Sequence, residues 1–353
     1  MVDGFINFNL NEKTPTIIKV IGVGGGGGNA VEYMYEKGIC DVDFVICNTD
    51  YQALRNSPIP CKIQLGKELT AGHGAGNNPA MGEKSAQESL ADIEAILKKD
   101  TRMAFITAAM GGGTGTGAAP VIAKLSKDMG ILTVGIVSVP ARFEGPKRLD
   151  QARDGLRRLK DHVDCLIVID NEKIKSIYGS QTISQAFAKA NDVLNIAAKG
   201  IAEIITLPGY INVDFADVRT VMTDSGVAIM GAAQASGEDR AIRAITEALE
   251  SPLLNNNDIL GAKDILLNIT SGTDEITMDE MSQITSHIIR KVGNNAAVIW
   301  GVGTDPDLGD AINYNQIYEL LISLNLSIYT PTYYIMASRL SKYEDLTHNK
   351  GTS

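Results

Sequence analysis

Apolar runs that end at glycine or polar residues alternate with helical patterns through the first half of the chain. Continuous apolar runs of this length predict buried strands. The predicted strands cover 16–24, 43–50, 62–65, 103–109, 132–140 and 165–170. The predicted helices between them cover 30–38, 79–99, 117–130 and 146–161. Strand, loop and helix repeated in this order predict an α/β fold with a doubly wound parallel sheet and helices on both faces.

A long helical pattern at 184–207 separates this part from the rest of the chain and ends at Pro208-Gly209. It is apolar on much of its surface, which predicts a largely buried connecting helix. Strand and helix patterns alternate beyond it, with strands at 226–235, 264–270 and 296–303 and helices at 241–250 and 278–292. These patterns predict a smaller α+β domain that the long helix joins to the first.

Composition and charge narrow the class of protein. The chain has 353 residues, 44% of them hydrophobic and 21% charged, as in globular proteins, and a formal net charge of −10. This charge argues against a nucleic-acid binder, because such a protein carries a basic face. No apolar run resembles a signal peptide or approaches the roughly 20 residues of a membrane span, so a cytoplasmic protein without membrane insertion is expected.

The four cysteines and four histidines are scattered without the spacing of metal ligands. Cys47 and Cys165 lie inside apolar runs and are interpreted as reduced core thiols. The sequence therefore predicts no metal-ligating side-chain set and no cysteine–histidine nucleophile pair.

Two glycine clusters, GVGGGGGNAV at 22–31 and AAMGGGTGTGAAP at 108–120, each lie between a predicted strand and a predicted helix. The first turn of a helix has unpaired amides and a partial positive charge, which together favour a phosphate group. Glycine lets the backbone approach a pyrophosphate and adopts positive φ. Two tight strand–helix turns are the alternative interpretation, but two such clusters on neighbouring strands favour a nucleotide.

The glycine clusters alone do not distinguish a dinucleotide-binding fold from other kinds of nucleotide site. GVGGGG at 22–27 fits the G-x-G-x-x-G pattern of dinucleotide-binding folds, which is a weak signal alone. Such a fold needs an acid about 20 residues further on to hold the ribose; Asp41 and Asp43 have that spacing but lie just before or at the start of the second predicted strand, and Asp50 lies at its end. No lysine follows Gly117, so the P-loop pattern is absent. Phosphate charge is therefore expected to meet backbone amides, a helix dipole and a metal ion. A bulky residue at Gly113 is expected to abolish binding while the chain stays folded.

Several motifs in one order resemble the tubulin/FtsZ family, which includes bacterial cell-division GTPases. The motifs are NTD at 48–50, GGGTGTG at 111–117, FEGPKR at 143–148, ANDVL at 190–194 and NVDFADVRTVM at 212–222. The likeness extends over about 16–312. It implies a tubulin-like fold, GTP/GDP binding with Mg²⁺, GTP hydrolysis activated by self-assembly, head-to-tail filaments, and a place at the division site.

The resemblance also implies a domain organisation. It comprises a flexible arm (1–15), a GTP-binding domain (16–183), a central helix (184–207), a loop and following helix (208–226), a C-terminal domain (227–330) and an unassigned tail (331–353). Division proteins and membrane anchors are the expected partners, although the C-terminal docking peptide of the family is not recognisable. The segment 313–334 departs from the family's strand pattern and has the apolar content for a helix and a strand.

Site residues follow from the same resemblance. The nucleotide-binding set is Gly25, Gly26, Gly27, Gly28, Asn29, Gly113, Thr114, Gly115, Glu144, Arg148, Phe187 and Asp192. In that set Phe187 is expected to stack near guanine, and Asp192 to accept its N–H groups. Three of these residues also have a purely structural interpretation. Phe187 could pack within a helix, and Glu144 and Arg148 could form an i,i+4 ion pair. The loop GHGAGNNP at 72–79 is expected to face the γ-phosphate.

The acidic motif at 211–222 carries the expected catalytic residues Asn212, Asp214 and Asp217. By themselves, Asp214 and Asp217 suit the start of a helix as caps. The resemblance implies instead that this loop projects into the nucleotide pocket of the next subunit. Two other functions stay open from the sequence: a nicotinamide-dependent oxidoreductase, and a tubulin-like protein that binds GTP without assembly or hydrolysis.

Overall fold

A computed structural model describes residues 16–206, 209–250, 262, 264–293 and 296–304, and the backbone of 315–324. The strands are β1 Ile18–Val23, β2 Val42–Asn48, β3 Cys61–Gln64, β4 Met103–Ala109, β5 Leu132–Val139, β6 Cys165–Asp170, β7 Gly226–Ala235, β8 Asp264–Ser271, β9 Ala297–Thr304 and β10 Asn315–Leu324. The helices are α1 Gly24–Lys37, α2 Tyr51–Asn56, α3 Lys67–Thr70, α4 Pro79–Glu88, α5 Leu90–Leu97, α6 Thr114–Asp128, α7 Pro146–Lys160, α8 Asn171–Tyr178, α9 Ile183–Thr206, α10 Phe215–Met222, α11 Arg240–Leu249 and α12 Met278–Val292.

The strands described form one sheet in the order β3-β2-β1-β4-β5-β6-β7-β10-β8-β9. Neighbouring strands from β3 to β7 run parallel, and β10 is antiparallel to both β7 and β8. All eight residues of β5 are buried, because helices cover both faces of a parallel sheet. The predicted doubly wound α/β fold is confirmed.

Two apolar cores lie on opposite faces of the parallel strands. One contains Met34 of α1 and Leu194 and Ile201 of α9. The other contains Ile122 of α6 and Leu156 of α7. A third core packs α11 and α12 on the second half of the sheet, through Ile245, Ile265 and Ile284 among others. In the described part of the chain no helix has both the length and the apolarity needed to cross a membrane.

Three predicted elements differ in the structure. The helix predicted over 30–38 begins at Gly24, inside the glycine cluster itself. The pattern at 79–99 forms two helices, because the hydroxyl of Ser89 accepts from the amide of Gly66 at 3.1 Å and fixes a break between them. In the segment 313–334, residues 315–324 form a strand; the rest of that segment and the end of the long helical pattern at Pro208 lie outside the described residues.

Candidate functional site

The two glycine clusters meet at the carboxyl edge of the sheet, as the sequence predicts. Strands β1 and β4 are parallel neighbours, with Val23 in register with Ala108. Each strand leads into the helix that follows it, α1 or α6. A Cβ built on Gly24 would lie 2.8 Å from the backbone nitrogen of Gly115. The starts of the two helices are therefore in contact.

Both helix starts offer free backbone donors at this edge. The N-cap residues Val23 of α1 and Gly113 of α6 make no side-chain capping hydrogen bond, and neither helix has an acidic residue in its first turn. The unpaired amides and the positive ends of two helix dipoles therefore point to the same place. Such a place suits an anion with more than one phosphate group.

Many glycines of the clusters are required by protein packing. A Cβ would lie 2.4 Å from the carbonyl oxygen of Thr107 if built on Gly27, and 2.3 Å from the Cβ of Ala109 if built on Gly26. Built on Gly113, it would lie 2.8 Å from the backbone nitrogen of Asn78. A bulky residue at Gly113 would therefore displace the 75–78 backbone, and the expectation that such a chain stays folded remains a prediction.

Three other glycines in these clusters face open space. A Cβ built on Gly25, Gly28 or Gly112 would meet no atom within 4 Å. Here a side chain is not excluded by the protein, so these positions mark where a ligand can approach the backbone. Gly112 is absent from the sequence-predicted set, and no pattern in the sequence separates it from its neighbours.

Hydrogen bonds within the second loop fix its shape. The hydroxyl of Thr116 accepts from the amide of Gly111 at 2.8 Å, which closes the loop before α6. The hydroxyls of Thr114 and Thr49 share a hydrogen bond of 2.7 Å. Thr49 belongs to the NTD motif at the end of β2, so this bond ties two of the motifs together at the same edge.

The 72–79 loop also packs beside this loop, through the contact of Gly113 with Asn78 described above. The side-chain amide of Gln151 in α7 donates to the carbonyl oxygen of Asn77 at 3.1 Å. Asn77 has φ of 55°, a left-handed conformation that asparagine tolerates better than most residues. The loop is thus held next to the uncapped start of α6.

Glu144 and Arg148 form an i,i+4 ion pair at 2.9 Å, as their structural interpretation from the sequence predicts. The other carboxylate oxygen of Glu144 accepts from the amide of Ala141 at 3.0 Å. The pair nevertheless borders the site, because a Cβ on Gly111 would lie 2.8 Å from the carbonyl oxygen of Arg148. The side chain of Arg148 is half exposed.

The residues expected at the base lie on α9. Phe187 is exposed, at 45% of its surface, which is unusual for packing within a helix. Asp192 accepts a hydrogen bond from the hydroxyl of Tyr33 in α1 at 3.1 Å. Burial raises the pKa of Tyr33, and the hydrogen bond and charge of Asp192 raise it further. Asp192 is thus fixed to the helix that begins in the glycine cluster.

Asn191 is absent from the sequence-predicted set but shares a face of α9 with Phe187. Residues four apart share a helix face, so Asn191 and not Asp192 lies one turn beyond Phe187 on the same side of α9. Asp192, five positions on, is turned towards α1. The i+4 spacing of Phe187 and Asn191 is the sequence signal that could have found it.

Asp214 and Asp217 of the acidic motif cap the start of α10, as their structural interpretation from the sequence predicts. One carboxylate oxygen of Asp214 accepts from the amide of Asp217 at 2.8 Å, and Asp217 accepts in return from the amide of Asp214 at 3.4 Å. The side-chain oxygen of Asn212 accepts from the amide of Gly209 at 2.6 Å. All three side chains belong to exposed residues.

This motif lies at the opposite edge of the sheet from the glycine clusters. The guanidinium of Arg219 in α10 donates to the carbonyl oxygen of Gly130, two residues before β5 begins. Strand β5 has eight residues and so spans roughly 25 Å. Within one chain, the structure therefore does not bring Asp214 and Asp217 to the nucleotide-binding set.

Comparison with known proteins decides the family. The model of the tubulin/FtsZ family GTPase domain matches residues 17–179, and that of the FtsZ family C-terminal domain matches residues 226–319. The chain belongs to the tubulin/FtsZ family. The resemblance carried by the motifs is thus confirmed.

Relatives in the tubulin/FtsZ family match most of the chain. A cell division protein FtsZ of Porphyromonas gingivalis is 49% identical over 315 residues, which are 88% of this chain and 69% of the relative. A cell division protein FtsZ of Coxiella burnetii is 48% identical over 313 residues, 88% of this chain and 81% of the relative.

Solved structures of the family give the same result. An empty FtsZ dimer from M. jannaschii superposes with a TM-score of 0.81 and 41% identity, covering 90% of this chain and 92% of that one. A GTPγS-bound protofilament structure of CetZ2 from Haloferax volcanii has a TM-score of 0.76 at 19% identity and covers 94% and 99%. The second likeness concerns the fold alone.

A tubulin/FtsZ GTPase domain implies binding of GTP or GDP, and the sequence resemblance adds Mg²⁺ to the expected ligands. Among the described residues, no group of three or more histidine, cysteine, aspartate or glutamate side chains could hold a metal. Mg²⁺ is commonly bound by substrate phosphates and water with few protein ligands. The Mg²⁺ of the resemblance would therefore be held mainly by the nucleotide.

Two cysteines, Cys47 and Cys165, lie in the core as the sequence predicts. Both are fully buried. Burial raises the pKa of both thiols, that of Cys165 to about 12. Both thiols therefore stay protonated and unreactive at neutral pH.

Proposed function

We propose that this chain hydrolyses GTP in a head-to-tail filament, in which the acidic motif of one subunit completes the nucleotide site of the next. As a tubulin/FtsZ family member it is a GTPase and a GTP-dependent polymerising protein of cell division. The oxidoreductase alternative is thereby wrong. The shared active site and the roles of individual residues are the new part of the proposal.

The observation that carries the proposal is the separation of the two halves of the site. The free amides of α1 and α6 lie at the carboxyl edge of the sheet, while Asp214 and Asp217 lie at the amino edge. A second subunit stacked in the same orientation would bring its amino edge onto the carboxyl edge of the first. Repeated stacking of this heterologous kind gives an open filament.

Each half would then have a distinct chemical task. The backbone amides and helix dipoles would hold the phosphates, and Phe187 and Asp192 would hold guanine by stacking and by accepting its N–H groups. Phosphoryl transfer to water needs little covalent chemistry but needs a group that orients the water. A carboxylate of Asp217 or Asp214, with the amide of Asn212 beside it, would accept a hydrogen bond from that water. Mg²⁺ would neutralise charge on the phosphates.

One observation favours a different role for the acidic motif. The carboxylates of Asp214 and Asp217 already accept backbone hydrogen bonds as helix caps. If they do no more than cap, the group that orients the water for GTP hydrolysis lies elsewhere in the chain. Phosphate release by an Asp217→Ala variant, with sedimentation as the check on assembly, separates the two roles.

The test uses an Asp217→Ala variant, which should bind GTP normally and hydrolyse almost none. Wild-type protein is held below its assembly threshold, where turnover is low, and the variant is added. Mixed filaments place wild-type acids against GTP bound to variant subunits, so turnover should rise. If sedimentation shows mixed filaments and turnover stays flat, the shared site is wrong and the acids are helix caps.

Assembly at the division site and contacts with membrane anchors belong to the same proposal. Their support is the family and the names of the relatives. Fluorescent fusion protein that stays dispersed in dividing cells would contradict this part alone.

A further inference from the structure

Lys127 joins three parts of the chain at the amino edge of the sheet. It lies in the last turn of α6, the helix whose first turn borders the glycine clusters. Its ammonium lies 3.1 Å from a carboxylate oxygen of Asp164, which immediately precedes β6. It also lies 2.7 Å from a carboxylate oxygen of Asp224, which follows α10. One cation thus links α6 and β6 to the helix that carries the proposed catalytic acids.

The two ion pairs of Lys127 differ in burial. The side chain of Asp164 is only 7% exposed, and its second oxygen accepts from the amide of Thr133 at 2.9 Å. The side chain of Asp224 is 75% exposed. Breaking the first pair would leave a buried charge unpaired, whereas breaking the second would not. The Asp164 pair therefore anchors Lys127, and the Asp224 pair extends from that anchor to α10.

The charge state of Lys127 suits this role. Burial lowers its pKa, but the hydrogen bonds and charges of Asp224 and Asp164 raise it by more, so the pKa lies above its usual value. Lys127 is therefore a cation throughout the physiological range of pH.

Buried Val218, Val221 and Met222 anchor α10 in the core, and polar contacts at its C-terminal end set its direction more finely. The helix has eight residues, with Asp214 as its N-cap and Asp217 in its first turn. Arg219 reaches the carbonyl oxygen of Gly130 at 3.3 Å, and the hydroxyl of Ser225 reaches that of Asp164 at 3.3 Å. Both contacts are long for hydrogen bonds. The bond between Lys127 and Asp224 is shorter than either and joins two charges.

The backbone at Asp224 is held in a conformation that most residues avoid. Its φ is 51°, in the left-handed region. Aspartate tolerates this region better than most residues but at some cost. The contact with Lys127 therefore lies where the chain turns from α10 into β7.

We propose that Lys127 is a positioning residue for GTP hydrolysis, which holds α10 through Asp224 and thereby sets where Asp214 and Asp217 project towards the next subunit. The inference rests on the proposed shared site. Lys127 itself would not touch the nucleotide of either subunit. Its effect would appear in the acids that a subunit donates and not in the GTP that it binds.

The test variant is Asp224→Gly, with Asp224→Asn as its matched control. Glycine adopts the left-handed backbone freely but removes the acceptor, while asparagine keeps both the conformation and an oxygen acceptor. A small misplacement of catalytic groups costs up to ~10²-fold in rate, so kcat in Asp224→Gly should fall about tenfold. GTP affinity and the thermal unfolding midpoint should be unchanged, and Asp224→Asn should remain close to wild type.

Lys127→Gln provides the reciprocal test. It should lower kcat at least as far as Asp224→Gly, and the double variant should lower it no further than Lys127→Gln, because both break the same contact. Some loss of stability is expected in Lys127→Gln, because Asp164 loses its partner. Independent, multiplicative effects of the two changes on kcat would overturn the proposal.

Mixing with Asp217→Ala locates the defect. Wild-type protein below its threshold should raise the turnover of Asp217→Ala filaments, and Asp224→Gly protein in its place should raise it about tenfold less, since its acids are misplaced. If Asp224→Gly raises turnover as wild type does, its acids are correctly placed and the role of Lys127 is overturned. If wild-type protein also leaves the turnover of Asp217→Ala filaments unchanged, the proposed shared site is contradicted. The mixture with wild type therefore tests the shared site separately from the role of Lys127.

Discussion

At the scale of single residues, the proposed contact of Asp192 with guanine can be tested by substitution. Asp192→Asn should weaken GTP binding, because an amide presents a donor where guanine requires an acceptor. Loss of one charge-assisted hydrogen bond costs about 1.5–3 kcal/mol. Calorimetric titration with GTP measures the change.

The contact between Asp192 and Tyr33 supplies the control for that prediction. Tyr33→Phe removes the hydroxyl that donates to Asp192 at 3.1 Å and leaves the carboxylate in place. It should change GTP affinity far less than Asp192→Asn. Equal losses in the two variants would mean that Asp192 acts by fixing α9 to α1 and not by contact with guanine.

The glycines give a prediction in which stability and binding move in opposite directions. Gly25 lies in the first turn of α1 with open space around a new Cβ, so Gly25→Ala should raise the free energy of unfolding by about 0.5–1 kcal/mol. GTP affinity should nevertheless fall, because in the proposed site the methyl group would lie where a phosphate group approaches. Denaturant unfolding and calorimetry measure the two effects.

Gly27→Ala is the matched control within the same helix. Its Cβ would meet the carbonyl oxygen of Thr107 at 2.4 Å, so it should destabilise the fold itself. A Gly25→Ala protein that binds GTP as tightly as wild type would show that the first turn of α1 does not hold phosphate.

These residues also show what sequence alone can predict of the site. The clusters themselves are visible as glycine between a strand and a helix. Which glycines are open depends on atoms far along the chain, such as Thr107 and Ala109 beneath Gly27 and Gly26. No local pattern contains that information. The same is true of Tyr33, whose contact with Asp192 joins two helices.

At the scale of elements, buried strands are the best predicted part of the fold. The bounds of β4 and β6 equal those expected from their apolar runs, because strands covered on both faces carry a continuous signal. The break between α4 and α5 was missed because a long-range bond of Ser89 causes it. The start of α1 was missed because glycine disfavours a helix, and packing on the sheet overrides that preference.

An ion pair between α11 and α12 makes the stability of this part of the fold depend on pH in the acid range. The guanidinium of Arg240 makes two hydrogen bonds to the carboxylate of Glu280, one of them at 2.9 Å. That contact is the main cause that lowers the pKa of Glu280 from 4.5 to about 2. Glu280 therefore stabilises the folded state above pH 4.5, and this contribution is lost as pH falls from 4.5 towards 2.

Glu280→Gln removes the charge and keeps a residue that suits the cap of α12. The variant should lose about 1–3 kcal/mol of local stability near neutral pH, and the difference from wild type should shrink below pH 4.5. Amide hydrogen exchange at the buried Ile284 and Ile288 reports on this helix. A difference that grows towards acid pH would contradict the assignment.

At the scale of the whole molecule, the separated halves of the site predict how turnover depends on concentration. GTP hydrolysis per subunit should be close to zero below an assembly threshold and rise above it, because in the proposed arrangement an isolated chain lacks acids at its nucleotide. Phosphate release measured over a dilution series, with sedimentation in parallel, checks this. A constant rate per subunit across the series would mean that one chain holds a complete site.

The placement of the glycine clusters and the acidic motif at opposite edges of the sheet also makes the two tips of a filament chemically different. A filament would hold one fewer complete site than it has subunits, so a dimer would turn over GTP at half the rate per subunit of a long polymer. At the tip where glycine clusters face solvent, the last nucleotide would have no acid to orient its water. That terminal subunit would keep its GTP intact until another subunit binds. Binding of the new subunit would then allow hydrolysis of the GTP that it covers.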